Sequence, residues 1–294
     1  MTQLKPGKIF LIINNYAGHH EGSKTVEIVI PLLIKNGCEV EYAFTQYAGH
    51  ATELATKASE AGFNMVVAVG GDGTVNEAAQ GIIGTQTCLG IIPVGSGNGL
   101  ARELGISMNM RKSAYKLIKG VNLEIDVCKL NNQRYLCTSG IGFDAQIADQ
   151  MSKASSRGLW RYIQIVIKES ILYKPINVKL KIDGKPINQA IFLVTFANAS
   201  QFGNNAFIAP AASMTDSLMD VVVVKPFNKI WLPVFALTLF TKIIHKLPFV
   251  ECYKARLVEL EWADTSIFHF DGEPGQLDIP AKITIDSDRI FVRC

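Results

Sequence analysis

The sequence predicts two domains: an α/β domain with a parallel sheet, followed by a β-rich domain that forms an antiparallel sandwich. Three observations support this prediction. In the first 120 residues, continuously apolar segments alternate with amphipathic ones, as in a parallel sheet covered by helices. From about residue 122, short segments of alternating polarity dominate. The length of 294 residues also suits two domains.

The first domain, residues 1–120, reads as strands and helices in alternation. Ser23 is expected to N-cap the first helix, and Pro31 to kink it. The elements are predicted, in order, as a strand at 8–14, a helix at 23–37, a strand at 40–44, a helix at 51–62, a strand at 65–69, a helix after the glycines at 70–73, and a strand at 89–93.

The second domain, residues 121–294, reads mainly as strands, with helices near 143–152 and 157–173. Its last strands belong either to this domain or to the first one. The boundary is placed near Gly120. The predicted strands are 123–131, 134–139, 176–183, 190–197, 218–225, 255–261, 265–270 and 281–286.

Composition and charge exclude several classes of protein. With 48% apolar and 19% charged residues, the chain is not disordered. A net charge of +3, from 29 basic and 26 acidic residues, is too balanced for a nucleic-acid binder but suits a phosphate ligand or an anionic membrane surface. The longest apolar run, 230–240, contains Pro233 and is too short to span a bilayer. Unpaired cysteines and the absence of a signal-like start indicate a cytoplasmic protein.

The strongest motif is the glycine loop from Gly70 to Glu77, with the sequence GGDGTVNE, between a buried strand and a helix. Its glycines allow the backbone to approach a ligand closely, and the amides at the start of the helix favour a phosphate. Asp72 is of the type that holds Mg²⁺ directly or through water. A plain turn with a capping aspartate is the weaker interpretation, because three glycines surround the acid.

A second glycine loop, PVGSGNGLAR at 93–102, follows the next strand. Neighbouring parallel strands bring both loops to the carboxyl edge of the sheet, where α/β folds bind ligands. The Walker A and GxGxxG patterns are absent, which excludes a P-loop enzyme and an ordinary dinucleotide binder. A third motif, Asp271-Gly272-Glu273, is by itself a common surface turn.

Together these motifs resemble the diacylglycerol kinase catalytic-domain (DAGK) family, which includes sphingosine and ceramide kinases and bacterial lipid kinases. The resemblance covers nearly the whole chain. Further matches are Asn14 in a loop with Asn15 in place of the usual proline, Asp126, the segment 139–145, and the segment 208–220. The usual Leu-Asp-Asp-Gly is here Met214-Thr215-Asp216-Ser217, and Ser217 is expected to strain the loop.

The resemblance implies a phosphofructokinase/NAD-kinase-like first domain, an active site in the interdomain cleft, and an ATP- and Mg²⁺-dependent lipid kinase. The implied catalytic residues are Glu273 as general base with Asp72 and Asp126 at the catalytic Mg²⁺. A second, structural Mg²⁺ is implied at the family's aspartate and nearby backbone carbonyls, which correspond here to Ser213, Asp216 and Leu218. The implied ATP-binding residues are Asn14, Thr45, Gly70, Gly71, Asp72, Gly73, Thr74, Asn76, Glu77, Gly95, Ser96, Gly97 and Asn98.

The implied partner is a membrane lipid, reached by reversible contact of a cytoplasmic protein with the membrane surface, without nucleic acid. The identity of the lipid and the oligomeric state, including a homodimer, stay open. Trp231, Phe235 and Phe240 either touch the membrane or pack in the core.

Two other functions also stay open. NAD kinases share the GGDGT loop but lack the second glycine loop, and an inactive lipid- or nucleotide-binding relative would be expected to lack an intact Asp72, Asp126 or Glu273.

Overall fold

The computed structural model describes residues 7–15, 21–154 and 159–294. Residues 16–18, which complete the family-like loop that begins at Asn14, and positions 157–158 of the second predicted helix lie outside these ranges. The chain divides into two compact units, Met1–Ile125 with Asp288–Cys294, and Asp126–Ser287. The sequence analysis put the boundary five residues earlier, near Gly120, and left the membership of the last strand open.

The first unit is an α/β domain with a parallel sheet, so this part of the predicted fold class is confirmed. The strands lie in the order β2-β1-β3-β4, and Phe291 and Val292 run parallel beside β4. The elements are β1 (Lys8–Ile13), α1 (Glu21–Lys35), β2 (Glu39–Phe44), α2 (His50–Glu60), β3 (Met65–Gly70), α3 (Asp72–Gln80), β4 (Cys88–Pro93), α4 (Gly99–Glu103) and α5 (Met110–Lys119).

The burial of each strand matches its position in the sheet. Every residue of β3 and β4 is buried, since these central strands are covered on both faces. By contrast, β2 at the edge is largely exposed and reads as an alternating strand. Helices α1 and α5 close one core beneath the sheet through Val29, Leu33 and Leu117.

The second unit begins with short strands and two helices, and it continues through a helix that the sequence analysis did not assign. Its elements are β5 (Asn122–Leu130, which starts in the first unit), β6 (Gln133–Tyr135), β7 (Thr138–Gly142), α6 (Phe143–Ser152), α7 (Leu159–Leu172), β8 (Ile176–Ile182), β9 (Lys185–Ile191), β10 (Leu193–Ala197), β11 (Met219–Val224), α8 (Leu232–Thr241), β12 (Val250–Ala255), β13 (Leu257–Ala263), β14 (Ile267–Phe270), β15 (Glu273–Gln276) and β16 (Ala281–Arg293).

Two antiparallel layers form the second unit, which confirms the predicted sandwich. One layer has the order β12-β11-β10-β7-β14-β15, and the other pairs β9 and β8 with β13 and the start of β16. Phe196, Val221 and Phe268 of the first layer share one core with Val258 and Ile283 of the second. A second core, containing Phe143, Phe192 and Phe235, packs helices against the outer face of the first layer.

Four details differ from the sequence prediction. Helix α1 begins at Glu21, so Ser23 lies inside the helix instead of capping it. The predicted strand 134–139 is two strands, β6 and β7, and the predicted strand 190–197 is split between β9 and β10. Helix α8 is new, because Pro233 occupies the first turn, where it starts a helix rather than breaking one. In the described part of the chain, no helix is long and apolar enough to cross a membrane.

Candidate active site

The glycine loops of the first unit lie at the carboxyl edge of its parallel sheet. Strand register aligns Ile13 with Val69, and Gly70 with Pro93. The amide of Asn14 then donates to Val69 O at 3.0 Å, and the amide of Thr45 donates to Ile13 O at 2.9 Å. The side chain of Asn14 also donates to Thr74 Oγ1 at 2.9 Å. The edge therefore collects the predicted ATP-binding residues of four strands.

The two glycine loops touch through their backbones at Gly71 and Gly95. A Cβ placed on Gly95 would lie 2.5 Å from Gly71 Cα, closer than such atoms approach in proteins. A Cβ on Gly70 would lie 2.4 Å from Thr74. These glycines are required by close packing rather than by a positive φ, so they let two loops share one small space.

Asp72 holds the two loops together. Its Oδ2 accepts the amide of Asn98 at 2.8 Å and its Oδ1 accepts the amide of Gly99 at 2.6 Å, at the start of α4. Burial raises the pKa of the Asp72 carboxyl, and the two amides and the charge of Arg102 oppose that rise. A Cβ on Gly97 would meet Asp72 Oδ2 at 2.6 Å, which explains the glycine there.

Asn98 fixes the second loop from within. Asn98 adopts a left-handed conformation with φ 52°. Its side-chain Oδ1 accepts the backbone amide of Gly95 at 3.1 Å, and its side-chain NH₂ donates to the Gly95 carbonyl at 2.7 Å. Ser96, between them, is exposed. The loop thus presents Ser96 on a rigid frame.

Two predicted ATP-binding residues on α3 lie further along the helix and have other partners. The carboxylate of Glu77 accepts the amide of Ala51 at 3.2 Å, and the Glu77 carbonyl accepts the Thr52 hydroxyl at 2.8 Å. Asn76 Oδ1 accepts from Gln80 at 3.3 Å. Glu77 therefore braces α2 against α3, and its expected contact with the nucleotide stays a prediction.

Asp126 is completely buried in the second unit, where it supports a loop. Its Oδ2 accepts the amide of Ser217 at 2.7 Å, and its own amide donates to Met214 O at 2.7 Å. Ser217 has φ 58°, the left-handed conformation that the usual glycine would adopt without cost. In this structure Asp126 positions the loop around Ser217 and is shielded from solvent, and its expected role at the catalytic metal stays a prediction.

The side chains at the loop expected to bind a structural Mg²⁺ have partners within the chain. Asp216 Oδ2 lies 2.8 Å from the ammonium of Lys254, and Asp216 Oδ1 accepts the amide of Leu218 at 3.2 Å. Ser213 Oγ lies 3.3 Å from the hydroxyl of Thr215, which stands where the family has a second carboxylate. Among the described residues, no three His, Cys, Asp or Glu side chains come together as a metal site.

Glu273 follows a tight hairpin between β14 and β15. Asp271 and Gly272 have φ 51° and 86°, as in the type I′ turn that Asp-Gly favours. The carboxylate of Asp271 accepts three backbone amides, from Leu136 at 2.8 Å, Cys137 at 2.6 Å and Thr138 at 3.0 Å. Glu273 is thus an exposed carboxylate on a rigid turn.

A buried polar pair lies beneath this turn, and sequence reasoning did not find it. His269 Nε2 is 3.2 Å from Asp144 Oδ2, which also accepts the Thr195 hydroxyl at 2.8 Å. Asp144 belongs to the segment 139–145 that resembles the family, but that match did not indicate its partner.

Asn198 connects the Asp126 loop with the Asp271 hairpin. It is completely buried, and its side-chain NH₂ donates to Asp126 O at 2.8 Å and to Leu136 O at 2.7 Å. The amide of Leu136 in turn donates to Asp271. No spacing rule would have selected Asn198, because its partners are backbone atoms brought together by strand pairing.

Two family models match the chain. The diacylglycerol kinase catalytic domain matches residues 8–130. The YegS C-terminal NAD kinase beta sandwich-like domain matches residues 138–292. These ranges cover most of both units.

Individual relatives agree with the family models. A Bacillus subtilis protein named diacylglycerol kinase is 32% identical over 225 residues, 74% of each chain. A Mycobacterium tuberculosis protein of the same name is 27% identical over 286 residues, 95% of this chain and 92% of its own. A solved structure from Bacillus anthracis superimposes with a TM-score of 0.82 at 23% identity, covering 99% of this chain and 96% of that one.

We expect Gly95→Ala to damage the site by forcing the glycine loops apart. The added Cβ meets Gly71 backbone, so the unfolding free energy should fall by about 1–3 kcal/mol. Thermal unfolding and nucleotide affinity measure the effect. Ser96→Ala, one residue away and exposed, is the control that should keep its melting temperature. An unchanged melting temperature in Gly95→Ala would contradict the close contact.

We expect Ser217→Gly to stabilise the protein. Relief of the left-handed conformation should outweigh the extra chain entropy of glycine, for a gain of up to about 1 kcal/mol. Denaturant midpoints measure the gain. Asn205→Gly, also at positive φ, is the control, and it should gain less because asparagine tolerates this conformation. Equal gains would place the strain elsewhere.

Proposed function

The chain belongs to the diacylglycerol kinase catalytic-domain family and is a kinase with an alcohol group as acceptor; from this premise we propose that it transfers the γ-phosphoryl group of ATP, with Mg²⁺, to a hydroxyl of a membrane lipid. The observation that carries the proposal is the pair of glycine loops joined by Asp72 at one edge of the sheet. Phosphoryl transfer depends mainly on positioning and on neutralising charge, and this edge is suited to both.

The first glycine loop is the proposed phosphate site. Gly71 precedes α3 in an extended conformation, and among the described residues no side chain caps that end of the helix. Apart from the Asp72 amide, which bonds its own carboxylate, the amides of the first turn are therefore available to phosphate oxygens, and the helix dipole favours the negative charge. Thr74, held by Asn14, closes the loop from the side of β1. Thr45 and Ser96 are the proposed hydroxyl contacts.

Asp72 fits a magnesium site, because its carboxylate oxygens are hard ligands and lie between the two loops. When bound, Mg²⁺ would neutralise charge on the transferred phosphoryl group. The chain's contribution is to keep this carboxylate at one place. The amides of Asn98 and Gly99 fix its two oxygens, so Asp72 needs no rearrangement when the nucleotide arrives.

Glu273 is the proposed general base, which takes the proton of the acceptor hydroxyl. Its carboxylate is exposed and its backbone is fixed by the Asp271-Gly272 turn. A base must lie within hydrogen-bond reach of the proton it removes, so a rigid turn lowers the cost of that approach. Asp271, with its three amides, serves to hold the turn.

A diacylglycerol-like lipid is the proposed acceptor. The relatives from Bacillus subtilis and Mycobacterium tuberculosis are both named diacylglycerol kinase. The test is to incubate the purified chain with labelled ATP and Mg²⁺ and to offer each lipid class in mixed micelles, with NAD in detergent-free buffer as a parallel sample. Phosphorylation of a lipid supports the proposal. Phosphorylation of NAD with every lipid inert would overturn it in favour of an NAD kinase, and inertness of all acceptors would favour a binding protein.

We expect Glu273→Gln to lower turnover by about 10²–10⁴-fold while ATP affinity changes by less than a few-fold, because only the proton acceptor is lost. Single-turnover kinetics and nucleotide titration measure the two effects. Asp271→Asn is the matched control on the same turn: it weakens the bonds to three amides and should lower the melting temperature, which Glu273→Gln should not. Near-normal turnover in Glu273→Gln would place the base elsewhere.

A further inference from the structure

Helix α8 is apolar all round, yet it lies at the surface of the second unit. Only Thr238 and Thr241 are polar in its ten residues, and both hydroxyls donate to carbonyls of the same helix, Phe235 O at 2.7 Å and Leu237 O at 3.0 Å. A helix without a polar face is normally enclosed by protein or lipid. One side of α8 is enclosed, since Phe235 packs in the core.

The other side of α8 is open to solvent. Leu237 is 62% exposed and Phe240 59%. The turn before the helix continues this surface, with Ile230 at 78% and Trp231 at 41%. Helical spacing places positions 230, 234 and 237 on one face. We call the exposed side chains of Ile230, Trp231, Val234, Leu237 and Phe240 the α8 patch.

The end of α7 adjoins the α8 patch. The ammonium of Lys229 donates to Ile171 O, which joins the last turn of α7 to the residues just before α8. Ile167, Ile171 and Leu172 of α7 are each more than half exposed. The apolar surface is therefore built from two neighbouring elements, and single exposed apolar residues would need no such explanation.

The charged residues of the segment that carries the α8 patch are basic, and of these Lys225 is paired with Glu251 just beyond the segment. From 225 to 250 the sequence contains Lys225, Lys229, Lys242 and Lys246, together with His245, and no acidic residue. An apolar surface on a lysine-bearing segment matches an anionic bilayer, where the apolar side chains enter the acyl region and the lysines meet the headgroups. A protein partner would need an acidic rim around an apolar centre.

We propose that the α8 patch docks the protein on an anionic lipid surface. This proposal rests on the proposed function, because a lipid substrate gives the protein a reason to contact a membrane. Vesicle binding can nevertheless be measured without phosphoryl transfer. It also separates the aromatic residues considered in the sequence: Phe235 packs in the core, while Trp231 and Phe240 face the lipid.

The test compares cosedimentation with vesicles of phosphatidylglycerol and phosphatidylcholine. Leu237→Gln/Phe240→Gln should lower the partition coefficient by more than about tenfold. Ile34→Gln, 57% exposed in the first unit, is the matched control and should bind like the parent chain. Lys246→Gln should weaken binding at low salt and lose that effect at high salt, whereas Lys57→Gln should not.

A second measurement keeps the two proposals apart. Turnover of a short-chain diacylglycerol dissolved as monomers reports the proposed function and should be equal in the parent chain and the α8 variant. Equal vesicle binding by both proteins would overturn the docking proposal and leave the function intact. If the α8 variant loses vesicle binding but neither protein phosphorylates a lipid, the docking proposal is supported and the proposed function is overturned. If the variant instead dissociates a dimer in sedimentation equilibrium, the patch is an interface between copies and the docking proposal is wrong.

A different observation supports a second inference, at the loop expected to bind a structural Mg²⁺. Lys254 lies opposite Asp220 in the register of β11 and β12. Its ammonium is 2.8 Å from Asp216 Oδ2 and 3.2 Å from Asp220 Oδ2. Asp220 has only 7% of its side chain exposed, so its charge needs a nearby cation.

We infer that the ammonium of Lys254 is a built-in cation, which ties Asp216 and Asp220 together without a divalent ion. The contact affects the pKa of both partners, although burial sets the direction at Asp220. Burial lowers the pKa of Lys254, but its bonds to Asp216 and Asp220 outweigh that effect and the net pKa is raised. Burial raises the pKa of Asp220, and the bond to Lys254 opposes the rise.

The test measures melting temperatures of nucleotide-free protein with EDTA and with Mg²⁺. The parent chain should melt at the same temperature in both. Lys254→Met should melt several degrees lower in EDTA and recover part of the loss in Mg²⁺, because two carboxylates are then left without a cation. Lys181→Met, which removes an equally exposed ion-pair lysine from Glu261, is the control and should show neither effect. A parent chain that loses stability in EDTA would overturn the inference, as would a Lys254→Met variant with an unchanged melting temperature.

Discussion

The backbone contact between Gly71 and Gly95 is the constraint on which the first unit depends. Parallel pairing of β3 with β4 brings the loops after them to one edge, and only residues without a Cβ fit where the loops meet. Asp72 then converts proximity into a fixed arrangement by binding two amides of the second loop. The same carboxylate is thereby both a structural clamp and the proposed metal ligand, and its raised pKa reflects the burial that clamping requires.

The second unit positions Glu273 by similar means, using buried polar side chains bonded to backbone. Asp271 holds the hairpin, Asn198 bridges Asp126 and Leu136, and Asp126 supports the left-handed Ser217. Each bond joins segments distant in sequence. Breaking one leaves buried amides or carbonyls without a partner, which lowers the stability of the whole unit. A rigid turn below an exposed carboxylate results, which suits a base that must meet a hydroxyl within a narrow range of distances.

The sequence predicted the parts of this arrangement that depend on local pattern. Continuous apolar strands predicted the parallel sheet, and the glycine motifs predicted which loops lie at its edge. The partners of Glu77 and Asp126 were not predictable, because tertiary packing brings Ala51 and Ser217 to these side chains. Helix α8 was missed because an apolar run containing proline has no periodicity, and the position of Pro233 in the first turn becomes evident only once the helix start is known.

The negative charges of Asp72 and Asp216 are balanced in two different ways. Asp216 has an ammonium within 2.8 Å, so its charge is balanced by the chain itself. Among the residues that the structure describes, the two oxygens of Asp72 are bonded to neutral amides, and Arg102 is the cation that lowers its pKa from further away. A divalent ion that arrives with a phosphate would therefore gain more at Asp72 than at Asp216. Charge balance within the chain thus favours the proposed Mg²⁺ at the glycine loops over a divalent ion at the loop that Lys254 holds.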